Sequence, residues 1–134
     1  MRKLHRSLRP GGVLLDLHPE PRLNPVIVRT SAGATRVGTL EYSESFIQTI
    51  AAANRALALL DGEGTFVREQ QAEYEVLTHL DSAEQWRTYL EREAQYYLPP
   101  DEGMLRSIDR LLDRGPGEVV LAEWIRGTRF RRPG

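Results

Sequence analysis

Leu8-Arg-Pro-Gly-Gly-Val-Leu-Leu-Asp-Leu-His18 is the stretch that decides the reading of this chain. Arg2 to Leu8 reads as the end of a helix. Pro10 cannot continue a helical ladder, and Gly11 and Gly12 accept the conformations of a tight turn. Val13 to Leu17 follows as a strand that is apolar on both faces except for Asp16. That pattern predicts a strand inside a sheet covered on both sides.

Beyond it, Pro19, Pro21 and Pro25 hold an irregular connection open. Val26 to Thr30 and Thr35 to Leu40 flank Ser31-Ala-Gly-Ala34, which predicts a β-hairpin over 26–40 with a four-residue turn. A helix is expected from near Ser45, where Ser45 and Gln48 have capping-box spacing. Phe46, Ile50, Ala53, Leu57 and Leu60 fall on one face of it, and Gly62 and Gly64 end it. Glu73 to Leu80 alternates like a strand at or near a sheet edge, which Phe66 and Val67 extend backwards. Ser82 and Gln85 open a second helix with the stripe Trp86, Leu90, Ala94 and Tyr97, ended by Pro99-Pro100. Asp101 caps a third, with Met104, Leu105, Ile108, Leu111 and Leu112 on it, closed by Gly115-Pro116. Val119 to Ile125, apolar but for Glu123, reads as a central strand, and 127–134 as a basic tail. The fold class is mixed α/β, in one domain of 134 residues.

Composition bounds the function. A net charge of −1 gives no global field toward nucleic acid or a membrane surface. The absence of cysteine excludes disulfides, thiol catalysis and zinc–thiolate sites. No apolar run approaches a membrane span or a signal sequence, so the expected location is cytoplasmic.

In their order, Leu8 to Gly12, the strand after it, the helix from Phe46 to Leu60 and the strands at Glu73–Leu80 and Val119–Ile125 form a pattern. It resembles the second half of class I S-adenosylmethionine-dependent methyltransferases. The resemblance implies a three-stranded core in which Val13–Leu17, Val119–Ile125 and Glu73–Leu80 stand as strands 5-7-6. The hairpin 26–40 would be an insertion, joined by three main helices. The family's donor site needs a glycine-rich turn after its first strand, and only a few residues precede Leu8. Gly62-Glu-Gly64 follows a helix and reads as a helix stop. The expectation is therefore a partial methyltransferase-like domain with no cofactor-binding residues of its own. S-adenosylmethionine would bind only where a partner supplies the other half. Val13–Leu17 would then lack a neighbour, which predicts a homodimer or a partner chain pairing with that edge.

Asp16, His18 and Glu20 are the candidate site. Asp16 and His18 share a strand face, and a histidine with two carboxylates suits acid–base work or metal ligation. The alternative is a solvated strand end. The resemblance places these residues toward the acceptor substrate. His79 is expected to hydrogen-bond Glu75. His5 reads as exposed in a basic terminal helix, and Ser7, Ser43, Ser45 and Ser82 as cap or turn residues. Trp86, Tyr89, Tyr96 and Tyr97 line either a pocket or a core. Arg126, Arg129, Arg131 and Arg132 read either as a solvated tail or as a phosphate or nucleic-acid contact. Three functions follow: a methyltransferase-related domain silent alone, a small dimeric binding or interaction domain, or an independent small enzyme using Asp16, His18 and Glu20.

Overall fold

A computed structural model describes residues 6–134, so His5 and most of the expected first helix end lie outside the described residues. The chain is mixed α/β: among the described residues a five-stranded antiparallel sheet stands with three main helices. The order is β1 (Val13–Pro19), β2 (Asn24–Thr30), β3 (Gly33–Leu40), α1 (Glu44–Gly62), β4 (Val67–Leu80), α2 (Ala83–Arg92), α3 (Glu102–Leu112) and β5 (Gly117–Arg131). No helix among the described residues is long and apolar enough to cross a membrane. Two compact units emerge, one built from the residues up to Glu20 with 48–74 and 125–134, the other from 21–47 and 75–124.

In the first unit, the Pro-Gly-Gly turn forms as its residues dictate. Gly11 takes φ +78°, and a side chain on Gly12 would meet the Arg9 carbonyl at 2.8 Å. The turn is tied to the end of β5 by Gly11 N–H on Arg132 O and Arg132 N–H on Gly12 O, both 2.9 Å. β1 then runs antiparallel to β5, from Val13 opposite Arg131 to Pro19 opposite Ile125. Leu60, Phe66 and Phe130 form the buried core, with Leu8, Leu14 and Leu57 packed against it.

Three expectations are corrected here. β1 is not covered on both faces: Leu15 and Leu17 are 68% and 69% exposed. The expected basic tail is strand, because β5 runs on to Arg131. Thr128 and Phe130 alternate inward while Arg129 and Arg131 reach Glu69 on β4. The helix α1 is capped by Ser43, not Ser45: Ser43 Oγ accepts from the Phe46 N–H at 3.3 Å.

In the second unit, β2 pairs antiparallel with β3, with a bulge between Val26 and Ile27, and also with the first part of β5, from Val26 opposite Leu121 to Thr30 opposite Gly117. The hairpin is thus built into the sheet rather than inserted beside it. Its turn is also tighter than expected, with Thr30 directly opposite Gly33. Val26, Val28, Leu40, Val119 and Leu121 are buried, with Trp86 of α2 and Met104 and Ile108 of α3. Gly38 lets α3 approach: a side chain there would lie 3.1 Å from the Met104 sulfur.

Ser82 caps α2 by accepting from the Gln85 N–H at 3.1 Å, and Asp101 caps α3 by accepting from the Gly103 N–H at 3.2 Å. The helix α2 ends at Arg92 rather than at the prolines. Tyr97 leaves the helical stripe to form a β-bridge with Tyr42.

Candidate functional site

β-Strand side chains alternate, so Asp16 and His18 point to one face of β1. The structure brings them together: the His18 Nδ1 lies 2.5 Å from the Asp16 carboxylate. A ring nitrogen so placed against a carboxylate donates to it. His18 is 8% exposed, and its Nε2 is buried with no hydrogen-bond partner among the described residues. An open buried nitrogen of this kind costs about 1–3 kcal/mol relative to a paired one.

Glu20 is also buried, but it turns to Arg126 rather than to the histidine. The Arg126 Nε stands 2.5 Å from Glu20 Oε1, an ion pair without hydrogen-bond alignment, and its terminal nitrogen lies 3.6 Å from Glu73. The strand end is therefore not solvated, as the plainer expectation had it.

Directly opposite residues of an antiparallel pair share a face. Asp16 faces Thr128 and His18 faces Arg126 across the β1–β5 ladder. Gln71 of β4 donates to the Thr128 hydroxyl at 3.4 Å. Between this row and α1 lies a cleft of ≈630 Å³, lined by Asn54, Asp61, Arg68, Gln71, Arg126 and Thr128, with Leu57 and Phe130. Arg68 pairs with Asp61 at 3.6 Å. On the exposed side of the ladder, the Arg131 hydrogen bond foremost holds the Glu69 carboxyl below its ordinary range.

The second unit carries a different constellation, around Glu123. Tyr42 and Tyr97 both donate to Glu123 Oε2, at 2.5 and 2.8 Å, and their rings stack 5.3 Å apart. The Tyr89 hydroxyl lies 3.5 Å from that of Tyr97, and the Tyr89 ring stacks on Trp86. Burial foremost pushes the Tyr42 and Tyr97 phenols far above their ordinary range. For Tyr42 the Glu123 hydrogen bond adds most to that, for Tyr97 the Tyr89 hydrogen bond. Burial raises Tyr89 as well, against a lowering by its contact with Tyr97.

Trp86 is fully buried and Tyr97 nearly so. The aromatic group is thus a packed framework. Tyr42 was not singled out in the sequence; its signal was the lone acidic residue in an otherwise apolar strand, which demands a donor. Trp86 Nε1 and Asn24 Oδ1 are likewise buried with no hydrogen-bond partner among the described residues.

His79 bonds Glu118 of β5 at 3.0 Å, not Glu75. The reason is geometric: Glu75 lies two residues along the same strand, whereas Glu118 comes from the strand beside it. Of the arginines expected as a tail, Arg126 belongs to the cleft, Arg129 and Arg131 hold Glu69, and Arg132 donates to the Leu8 carbonyl.

A methyl-donor site of the expected kind needs a glycine-rich turn from strand into helix. Among the described residues two strands pass into helices, through Glu41 to Ser43 before α1 and through Asp81-Ser82 before α2, and neither passage contains glycine. The described residues contain no group of three or more His, Asp and Glu set to hold a metal ion. Comparison with known proteins gives no match to a family model, to a curated protein or to a solved structure.

Proposed function

We propose that this chain is a methyltransferase-related domain that carries the acceptor side of that fold. On this reading β1, β5 and β4 take the roles of strands five, seven and six, and Asp16, His18 and Glu20 lie toward the acceptor. The observation that supports it is the pairing of β5: it bonds β1 antiparallel and bonds β4 as well. The methyl donor would be held outside residues 1–134, and the chain alone would be silent. Titration of S-adenosylmethionine into the purified chain is expected to give no heat. A micromolar isotherm would overturn the placement of the donor site.

A second reading, a small dimeric interaction domain, has its own support. Among the described residues β1 pairs with β5 alone, and Leu15 and Leu17 beside its open edge are exposed. Unpaired backbone on an apolar strand is a template for a further strand. Light scattering at micromolar concentration is expected to show a dimer that Leu15→Lys with Leu17→Lys dissociates; a monomeric parent chain sinks this reading.

A further inference from the structure

We propose that the ridge Leu98-Pro99-Pro100 of the second unit, with the two pockets beside it, is a docking site for a basic peptide segment carrying two apolar side chains. The site lies in the other unit from β1, so it depends on neither reading above. The ridge is held in place by its neighbours. Pro99 and Pro100 fix their own φ and carry no N–H. Just before them, the Leu98 N–H donates to Glu41 O at 2.8 Å, and Tyr97 bridges Tyr42. Both tyrosines are clamped in turn on Glu123. A preformed surface of this kind costs a ligand little ordering entropy.

What the ridge presents is apolar and open. One pocket, of ≈370 Å³, reaches Val37 and Gly38 of β3 and Met104 of α3. The other, of ≈360 Å³, reaches Leu90 of α2, Ala94, Tyr97 and Leu105 of α3. Leu98 is 43% exposed, and Ala94 and Pro99 are exposed as well. Contiguous apolar surface left in water marks an interaction site. Each pocket is at the small end for a whole ligand but takes one leucine-sized side chain. Leu98, Pro99 and Pro100 line both, so an extended chain lying across the ridge fills the two together.

Charge decides the occupant. Glu41 and Asp101 line the first pocket and Glu91 the second. No cation among the described residues pairs with any of the three; Asp101 only caps α3 through the Gly103 N–H. Arg87 is the one cation in either lining, and Asp109 holds it. A surface apolar in its pockets and negative around them is complementary to apolar side chains set between lysines or arginines. It repels acidic chains and phosphates. Two copies of this chain meeting through the same face would bring like charges together, which disfavours a second copy as the occupant.

The test is ¹H–¹⁵N NMR of the whole chain titrated with the peptide Lys-Arg-Leu-Lys-Leu-Arg-Lys, whose leucines an extended backbone turns to one side. Two control peptides keep its length: one has serine for both leucines, the other glutamate for every basic residue. The leucine peptide should move amides within 37–41, 90–98 and 101–105 saturably below a millimolar and leave those of β1 unmoved. Neither control should do so. Glu41→Lys with Glu91→Lys, at positions exposed in the parent chain, should weaken the binding several-fold with the unfolding midpoint retained. Leu98→Ser should weaken it several-fold too, whereas Leu15→Lys with Leu17→Lys should leave it unchanged. No saturable shift at the ridge, an equal response to either control peptide, or full binding by the charge-reversed chain overturns the proposal. So does a shift of the same amides on dilution of the free chain, which would seat a second copy there.

Discussion

Two carboxylate-centred networks sit in the two units, and they end differently. In the second unit Glu123 gathers two tyrosine hydroxyls on one oxygen, within a set of stacked rings. In the first, Asp16 holds one nitrogen of His18 and the other nitrogen is left open. The first arrangement secures a core. The second keeps a buried group short of a partner, which a fold tolerates where that group has other work. The difference teaches that burial of a polar side chain does not by itself mark a site, since one buried network is closed on itself and the other is not.

The contrast can be broken by substitution. Glu123→Leu removes the acceptor of two buried phenols and is expected to cost about 3 kcal/mol in urea unfolding. A loss below about 1 kcal/mol would show that the tyrosines do not depend on that carboxylate. Raising the pH probes the same network. The Tyr42 and Tyr97 phenols are held above their ordinary 10.0, so the unfolded chain releases protons there that the folded chain keeps. Stability present below pH 10 should therefore fall above it, by up to about 1.4 kcal/mol per pH unit for each phenol. Urea midpoints measured across that range should flatten in Tyr42→Phe and in Tyr97→Phe.

His18→Leu sharpens the other side. It removes the open nitrogen together with the bond to the partly exposed Asp16, and the expected cost is under about 1 kcal/mol by the same unfolding measurement. A loss as large as that of Glu123→Leu would make the dyad structural and erase the contrast. The smallest effect is expected from Glu69→Gln. Its arginine partners are exposed, and ion pairs of that kind add little. Its unfolding midpoint should match the parent chain.

Local chemistry made much of the fold legible. The Pro-Gly-Gly turn, the strand after it, the hairpin and the caps at Ser82 and Asp101 follow from residues within a turn or two of one another. What the sequence reading missed depends on partners far along the chain. Thr128 and Phe130 alternate with Arg129 and Arg131 as a strand should, but four arginines in seven residues look like a tail until Glu69 stands opposite two of them. Tyr97 has helical spacing from Trp86, yet its bonds go to Tyr42 and Glu123, so the helix yields to the bridge. At the site, the period of a strand was enough to predict that Asp16 and His18 converge. The burial of His18 was not predictable, since it comes from the packing of whole elements. Nor was the turn of Glu20 toward Arg126, because the two lie more than a hundred residues apart and only the β1–β5 ladder brings them together.

β5 has a further consequence, for the order in which the molecule can assemble. β1 and β4 take their ladder bonds from it, β2 takes one edge's bonds from it and the rest from β3, and it follows all of them along the chain. On the ribosome the β2–β3 hairpin can close as soon as it is made. β1 and β4 must wait, with Leu15 and Leu17 of β1 in reach of any other strand edge. Pairings so distant in sequence form slowly, and the waiting strands are open to misassociation. The late arrival of one strand thus sets both the pace of folding and the period during which the chain needs protection.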